Sequence, residues 1–147
     1  MYLRKNKKGF TLIELLVVIG ILAVLLAITL IAVNPGQQLQ QADDTKRKAD
    51  INTILNAVNQ YMVKNQGQVP EGVTATAKPI SKTGADICAD LVDDYIAGLP
   101  QDPSSNGGAE ITDCMGAYAT GYQISAENNR VTIYAPNANT GTISLSR

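Results

Sequence analysis

From Phe10 to Val33 the chain is almost unbroken in apolar residues. Glu14 is the one charge inside that run, and between Leu15 and Val33 only Gly20 and Thr29 interrupt 19 residues dominated by Leu, Ile and Val. At ~1.5 Å per residue the stretch predicts roughly 28 Å of helix, about one hydrocarbon thickness. Asn34-Pro35-Gly36 ends it. Proline lacks a backbone donor and clashes with the preceding turn, so Pro35 and Gly36 predict a kink or break. An Asn cap followed by proline at the first position of a new helix fits equally well. A second helical pattern then runs from Gln37 to Asn65, with Ile51, Ile54, Leu55, Val58, Tyr61 and Met62 recurring on one face. Leu39, Ala42 and Ala49 extend that stripe weakly toward the N-terminus, and Asn65, Gly67 and Pro70 supply the stop.

Beyond residue 66 the pattern shortens. Pro70, Gly72, Pro79 and Gly84 mark residues 67–86 as a loop, with Val73 and Ile80 as candidate anchors. Ile87, Cys88, Leu91, Val92, Tyr95 and Ile96 then share a helical face, opposite a row of aspartates (Asp86, Asp90, Asp93 and Asp94) that reads as a solvated surface. Gly98 and Pro100 end this short helix, and the turn-rich segment from Leu99 to Gly108 follows. Alternation then predicts three strands, at Ala117–Ser125, Arg130–Ala135 and Thr142–Ser146, with Asn128-Asn129 as the turn between the first two. The fold class that results is α+β, a long N-terminal helix packed on a small antiparallel meander. Its segments are a basic leader at 1–9, a membrane-length helix at 10–33, a kinked continuation at 34–66 and a globular part at 67–147.

Charge and composition narrow the function. Of 12 basic residues, Arg4, Lys5, Lys7 and Lys8 stand in the leader, which leaves eight against 13 acidic ones. That mildly acidic remainder argues against a nucleic-acid-binding surface, which draws on Lys and Arg to neutralise phosphates. The one other basic cluster, Lys46-Arg47-Lys48, sits among Asp43, Asp44 and Asp50 and reads as a solvated helix face. No histidine is present, and no nucleophile–base pair is visible, so enzymatic activity is not expected. The basic leader favours a cytoplasmic N-terminus with the remainder outside. In that compartment Cys88 and Cys114 favour a disulfide; two free buried thiols are the alternative if the domain stays reduced.

A carboxylate near the start of a membrane helix costs about 2.5–3.5 kcal/mol, so Glu14 requires a partner. The string Lys7-Lys8-Gly9-Phe10-Thr11-Leu12-Ile13-Glu14 resembles the cleavage site and assembly stem of type IV prepilins and pseudopilins. The resemblance implies a leader cut by a prepilin peptidase after Gly9, N-methylation of Phe10, and pairing of Glu14 with the N-terminal amine of a neighbouring subunit. It implies a subunit that waits in the inner membrane and then joins a helical filament of like copies at the cell surface. An assembly platform and minor pilins would be its partners; DNA contact is not indicated. A proline in this part of the stem goes with a bend and local melting in the family, and a disulfide in the region of Cys88 and Cys114 is common there. A loop similar to Leu99–Gly108 binds calcium in the major pseudopilins of type II secretion. A plain loop without a cofactor is preferred here; calcium held by Asp102, Ser104 and Asp113 is the alternative. The functional alternatives are a pseudopilin of a secretion or competence machine, and an uncleaved single-pass anchor carrying a binding domain.

Overall fold

The computed structural model describes residues 9–147, so the leader, apart from Gly9, lies outside the described residues. The chain divides into two compact units, one ending at Gln38 and the other covering Leu39–Arg147.

In the first unit, helix α1 (Leu12–Val33) has no buried residue. Asn34 closes it in the left-handed region at φ 42°. The next helix, α2 (Pro35–Lys64), begins at once, and the Asn34 carbonyl accepts from the N–H groups of Gln37 at 3.1 Å and Gln38 at 3.4 Å. Asn34 is thus both the end of one helix and the start of the next, with Pro35 at the first helical position, where its missing N–H costs nothing.

The second unit is α2 with a sheet. Ile51, Ile54, Leu55, Ala57, Val58 and Met62 form its buried stripe, as the periodicity predicts. Toward the N-terminus the expected continuation is absent: Leu39 is 68% exposed, and Ala42 and Ala49 are exposed too. Asp44, Arg47 and Asp50 are buried instead. Lys48 is solvated, but Arg47, expected on the same solvated face, is only 2% exposed. Around Asp44 and Arg47 α2 meets loops, which offer polar partners, and Asp50 meets the hydroxyl of Tyr122 on the sheet. At its far end, Gln66 and Gly67 take positive φ, and the Gly67 N–H donates to the Met62 carbonyl at 2.8 Å, a glycine stop as expected.

Strands β1 (Lys78–Ser81), β2 (Ala119–Glu127), β3 (Arg130–Ala135) and β4 (Ile143–Ser146) pair antiparallel in chain order. The sheet therefore has four strands rather than three. The added β1 lies inside the region read as a loop, where Pro79 hides it; proline is tolerated because β1 is an edge strand. The anchors Val73 and Ile80 are buried. Asn128 and Asn129 both take positive φ, at 50° and 65°, the geometry that joins twisted strands through two residues.

The helix expected over Ile87–Ile96 shrinks to one turn, α3 (Cys88–Leu91). Val92 is already extended and Asp93 has φ 73°, which reverses the chain. Its buried face survives in Ile87, Cys88, Leu91 and Val92, while Tyr95 and Ile96 are half-buried. Cys88 and Cys114 are disulfide-bonded, with Cα atoms 5.4 Å apart across 26 residues. The link ties α3 to the segment entering β2 and contributes roughly 3–4 kcal/mol in the chain-entropy view.

Candidate functional site

Two constellations stand out, one in each unit. The first is the head of α1. Thr11 precedes the helix in an extended conformation (φ −80°, ψ 153°) and caps it. Its hydroxyl accepts from the Glu14 N–H at 3.3 Å. Glu14 reaches back, and one carboxylate oxygen accepts from the Thr11 N–H and from the Thr11 hydroxyl, both at 2.8 Å. This is a reciprocal cap, which satisfies donors that a helix start leaves open. Thr-x-x-Glu before an apolar run is the sequence signal of such a cap. Gly9 and Phe10 stand just ahead, both exposed, Phe10 at 84%. No heavy atom lies within 4 Å of where a side chain on Gly9 would begin.

All the large apolar residues of α1 are at least half exposed, from Val18 at 51% to Leu12 at 84%. A face of that extent does not stay in water; it needs lipid or protein over it. At 22 residues α1 is long and apolar enough to cross a membrane.

The second constellation is a buried polar clamp. The Arg47 guanidinium donates from Nε to Asp102 Oδ2 at 2.9 Å and from Nη2 to Oδ1 at 3.0 Å, a two-pronged pair. Its Nη1 donates to Asp44 Oδ1 at 2.8 Å. Asp44 also accepts from the N–H groups of Asn139 and Thr140, each at 2.9 Å, and from the Thr140 hydroxyl. The Ser104 N–H and hydroxyl add to Asp102. Arg47 thus fastens loop 99–108 to α2, and Asp44, which Arg47 pairs, fastens loop 136–142. Beside it, the Tyr122 hydroxyl donates to Asp50 Oδ2 at 2.7 Å, an oxygen shared with Lys46 Nζ at 2.7 Å.

The clamp sets its own ionisation. The Thr140 hydroxyl, followed by the Asn139 N–H, Arg47 and the Thr140 N–H, holds the Asp44 carboxyl far below the ordinary range against the penalty of burial. Burial pushes Asp102 up, but Arg47 and Ser104 together outweigh it and hold Asp102 low. The hydrogen bonds from Arg47 to Asp102 and then Asp44 keep the guanidinium charged despite its burial. Depressed carboxyls give stability that is present above the unfolded value near 4 and is lost as pH falls. The thermal midpoint of the folded domain should therefore drop as pH is lowered through about 4, and Asp44→Asn should flatten that dependence. A midpoint that stays constant down to pH of about 2.5 would contradict the pairing.

Of the candidate calcium ligands, Asp102 and Ser104 are engaged with each other and with Arg47. Calcium needs several free oxygens, and both Asp102 oxygens already face a guanidinium. Asp113 caps its own turn, with Oδ1 accepting from the Met115 N–H at 2.9 Å. Among the described residues no three acidic, Cys or His side chains gather where they could hold a metal. The aspartate row around α3 is also less uniform than expected: Asp93 and Asp94 are exposed, whereas Asp86 is half-buried and accepts from Tyr118 at 2.7 Å and from Lys82 at 2.9 Å.

Comparison with known proteins gives this geometry its context. Residues 4–30 match the family described as prokaryotic N-terminal methylation motif. Over 110 residues the chain is 33% identical to the type II secretion system core protein G of Aeromonas hydrophila, covering 70% of this chain and 71% of that protein. The chain belongs to the type IV pilin and pseudopilin family. A second relative is the type IV wide pilus major component PilA4 of Thermus thermophilus, 31% identical over 88 residues, covering 60% of this chain and 66% of that one. No solved structure matches the chain significantly. For a pilin-family subunit the two constellations divide the work: an exposed apolar helix with one capped acid, and a domain whose loops are fixed on α2 by buried charge.

Proposed function

We propose that this pilin is a prepilin cut after Gly9, N-methylated on Phe10 and polymerised through α1 into a type IV pilus or a related filament. The observation that carries the reading is Glu14, a lone carboxylate on a wholly exposed apolar helix, five positions after a small unhindered residue. Cutting after Gly9 removes the leader cations and leaves one amine at the helix head. In the membrane lipid covers α1; in a filament neighbouring stems replace it at about 25 cal/mol per Å² of apolar area. The role is structural rather than catalytic. The leader's cations favour an outward-facing domain, where a disulfide persists.

Intact mass of the membrane and surface pools tests the reading. The expected chain lacks residues 1–9 and carries one added methyl group. Gly9→Val should accumulate the uncut form, since the peptidase must admit the residue before the bond. Full-length protein in the surface pool would instead favour an uncleaved anchor with a binding domain.

The relative with the greater coverage, core protein G of a type II secretion system, favours a second reading as a pseudopilin. Gene deletion separates the two: loss of long surface fibres marks a pilin, and loss of exported proteins with fibres intact marks a pseudopilin. In either case the Arg47 clamp predicts that folding is independent of calcium. Adding a chelator should move the unfolding midpoint of the full chain in detergent by less than about 2 °C, less than 1 kcal/mol in a domain of this size.

A further inference from the structure

We propose that Asn106 is a site of spontaneous covalent modification, at which its side-chain amide is converted to a carboxylate by water. The loop Leu99–Gly108 is pinned at its start by the Asp102 N–H on the Thr120 carbonyl at 2.8 Å and by Asp102 on Arg47. It then runs out into solvent at Asn106 and Gly107. Asn106 is exposed and left-handed at φ 47°. Gly107 follows at φ 66°, with no heavy atom within 4 Å of where a side chain would begin.

The chemistry needs only those two residues and water. The Gly107 amide nitrogen bonds to Cγ of Asn106 and gives up its proton. The Cγ–Nδ2 bond breaks and the nitrogen leaves as ammonia. Water then opens the five-membered imide at one of its two carbonyls. One opening gives aspartate; the other routes the backbone through Cγ and adds a methylene to the main chain. Amide and water become acid and ammonia, and no oxidant or reductant takes part.

The rest of the chain shows why this position is singled out among the described residues. No other asparagine precedes a glycine. Asn34 precedes Pro35, which has no N–H. Asn52, Asn56 and Asn59 lie within α2, where the following N–H is held by the helix. The Thr140 N–H after Asn139 donates to Asp44 at 2.9 Å. The Ala138 N–H after Asn137 donates to Ala135 at 3.3 Å. The Gly107 N–H makes no hydrogen bond to a described residue; the same holds for the N–H groups of Gln66 and Asn129, after Asn65 and Asn128, but those residues carry side chains that shield the nitrogen.

The product changes the loop in two ways. It adds a negative charge close to Lys46, whose Cε lies 3.0 Å from where a side chain on Gly108 would begin. The lengthened form also displaces the Asn106 carbonyl that accepts from the Ala109 N–H at 3.4 Å. In a filament, a reading that rests on the proposed function, the acidic fraction of loops then rises with the age of the fibre. The modification itself holds for the chain in any state.

The test ages the full chain in detergent at mildly alkaline pH, in water enriched in heavy oxygen, and follows each asparagine by peptide mass spectrometry. The Asn106 peptide should convert about tenfold faster than any other, because glycine leaves the attacking nitrogen unshielded. It should take up one heavy oxygen and yield both product forms, and Asn106→Gln should remove the acidic band from isoelectric focusing. If Asn106 keeps its amide while Asn128 or Asn137 converts as fast or faster, the turn protects it and the proposal fails. Whether fibres form does not enter this result, so it stands apart from the filament reading.

Discussion

Glu14→Gln should abolish filament growth while leaving the chain anchored in the membrane. Glutamine keeps a carbonyl oxygen that can accept from the Thr11 N–H and hydroxyl, so the reciprocal cap seen at the head of α1 is retained. What it removes is the charge. Membrane insertion should become easier, by up to about 2.5–3.5 kcal/mol. Assembly should suffer because the amine of the neighbouring subunit is left buried without an anion, at a cost of about 3–5 kcal/mol per subunit. At about 1.4 kcal/mol per decade, subunit addition weakens at least about a hundredfold. Electron microscopy of surface fibres, alongside fractionation of membranes, reads both halves. Fibres of normal number from Glu14→Gln would assign the acid to capping alone. Thr11→Val supplies the complement: it removes the hydroxyl of the cap and keeps the charge, so any fibre loss should be much milder.

The second large effect is expected at Arg47. Arg47→Met keeps the length and apolar stem of the side chain but strands Asp44 and Asp102, which are 3% and 0% exposed. Removing one partner of a buried ion pair typically costs about 3–5 kcal/mol. In a domain whose whole stability is of order 5–15 kcal/mol, that is a large share. The thermal midpoint should fall by at least about 12 °C. Replacing an entire buried ion cluster with apolar residues is often neutral, but not here. The two carboxylates also accept from the backbone N–H groups of Asn139, Thr140 and Ser104, which would be orphaned. The combined Asp44→Leu, Arg47→Met and Asp102→Leu variant should therefore remain destabilised. Recovery of the full midpoint in that variant would show that the clamp adds nothing beyond its own charges.

Sequence and structure agree where a period or a turn chemistry governs. The apolar run gives α1 its length, the spacing of Ile51, Ile54, Leu55, Val58 and Met62 gives α2 its buried face, and Asn128-Asn129 gives the hairpin. Strand β1 was hidden because Pro79 punctuates it, and only pairing with β2 makes it a strand. The last part of the short helix was lost to Asp93, whose reversal follows from hydrogen bonding to Ile96 rather than from local propensity. The burial of Arg47 has no local signal. Its neighbours Lys46 and Lys48 do meet solvent, and nothing local separates it from them. Its partner Asp102 lies 55 residues away, so only the closed fold reveals that the pair exists. At the stem head the order is reversed: Glu14 stands out from sequence, whereas the pairing proposed for it requires a second copy.

The clamp gathers residues at positions 44, 47, 102, 104, 139 and 140. Contacts of such wide chain separation demand large loop closures, whereas the hairpin joining β2 to β3 closes across two residues. The meander can thus nucleate early, and the guanidinium lock engages afterwards, once Thr140 has been synthesised and brought back to α2. Interactions that arrive after the transition state act mainly on the unfolding rate. The lock is therefore expected to act as a late kinetic brake: Arg47→Met should speed unfolding in stopped-flow measurements far more than it slows refolding.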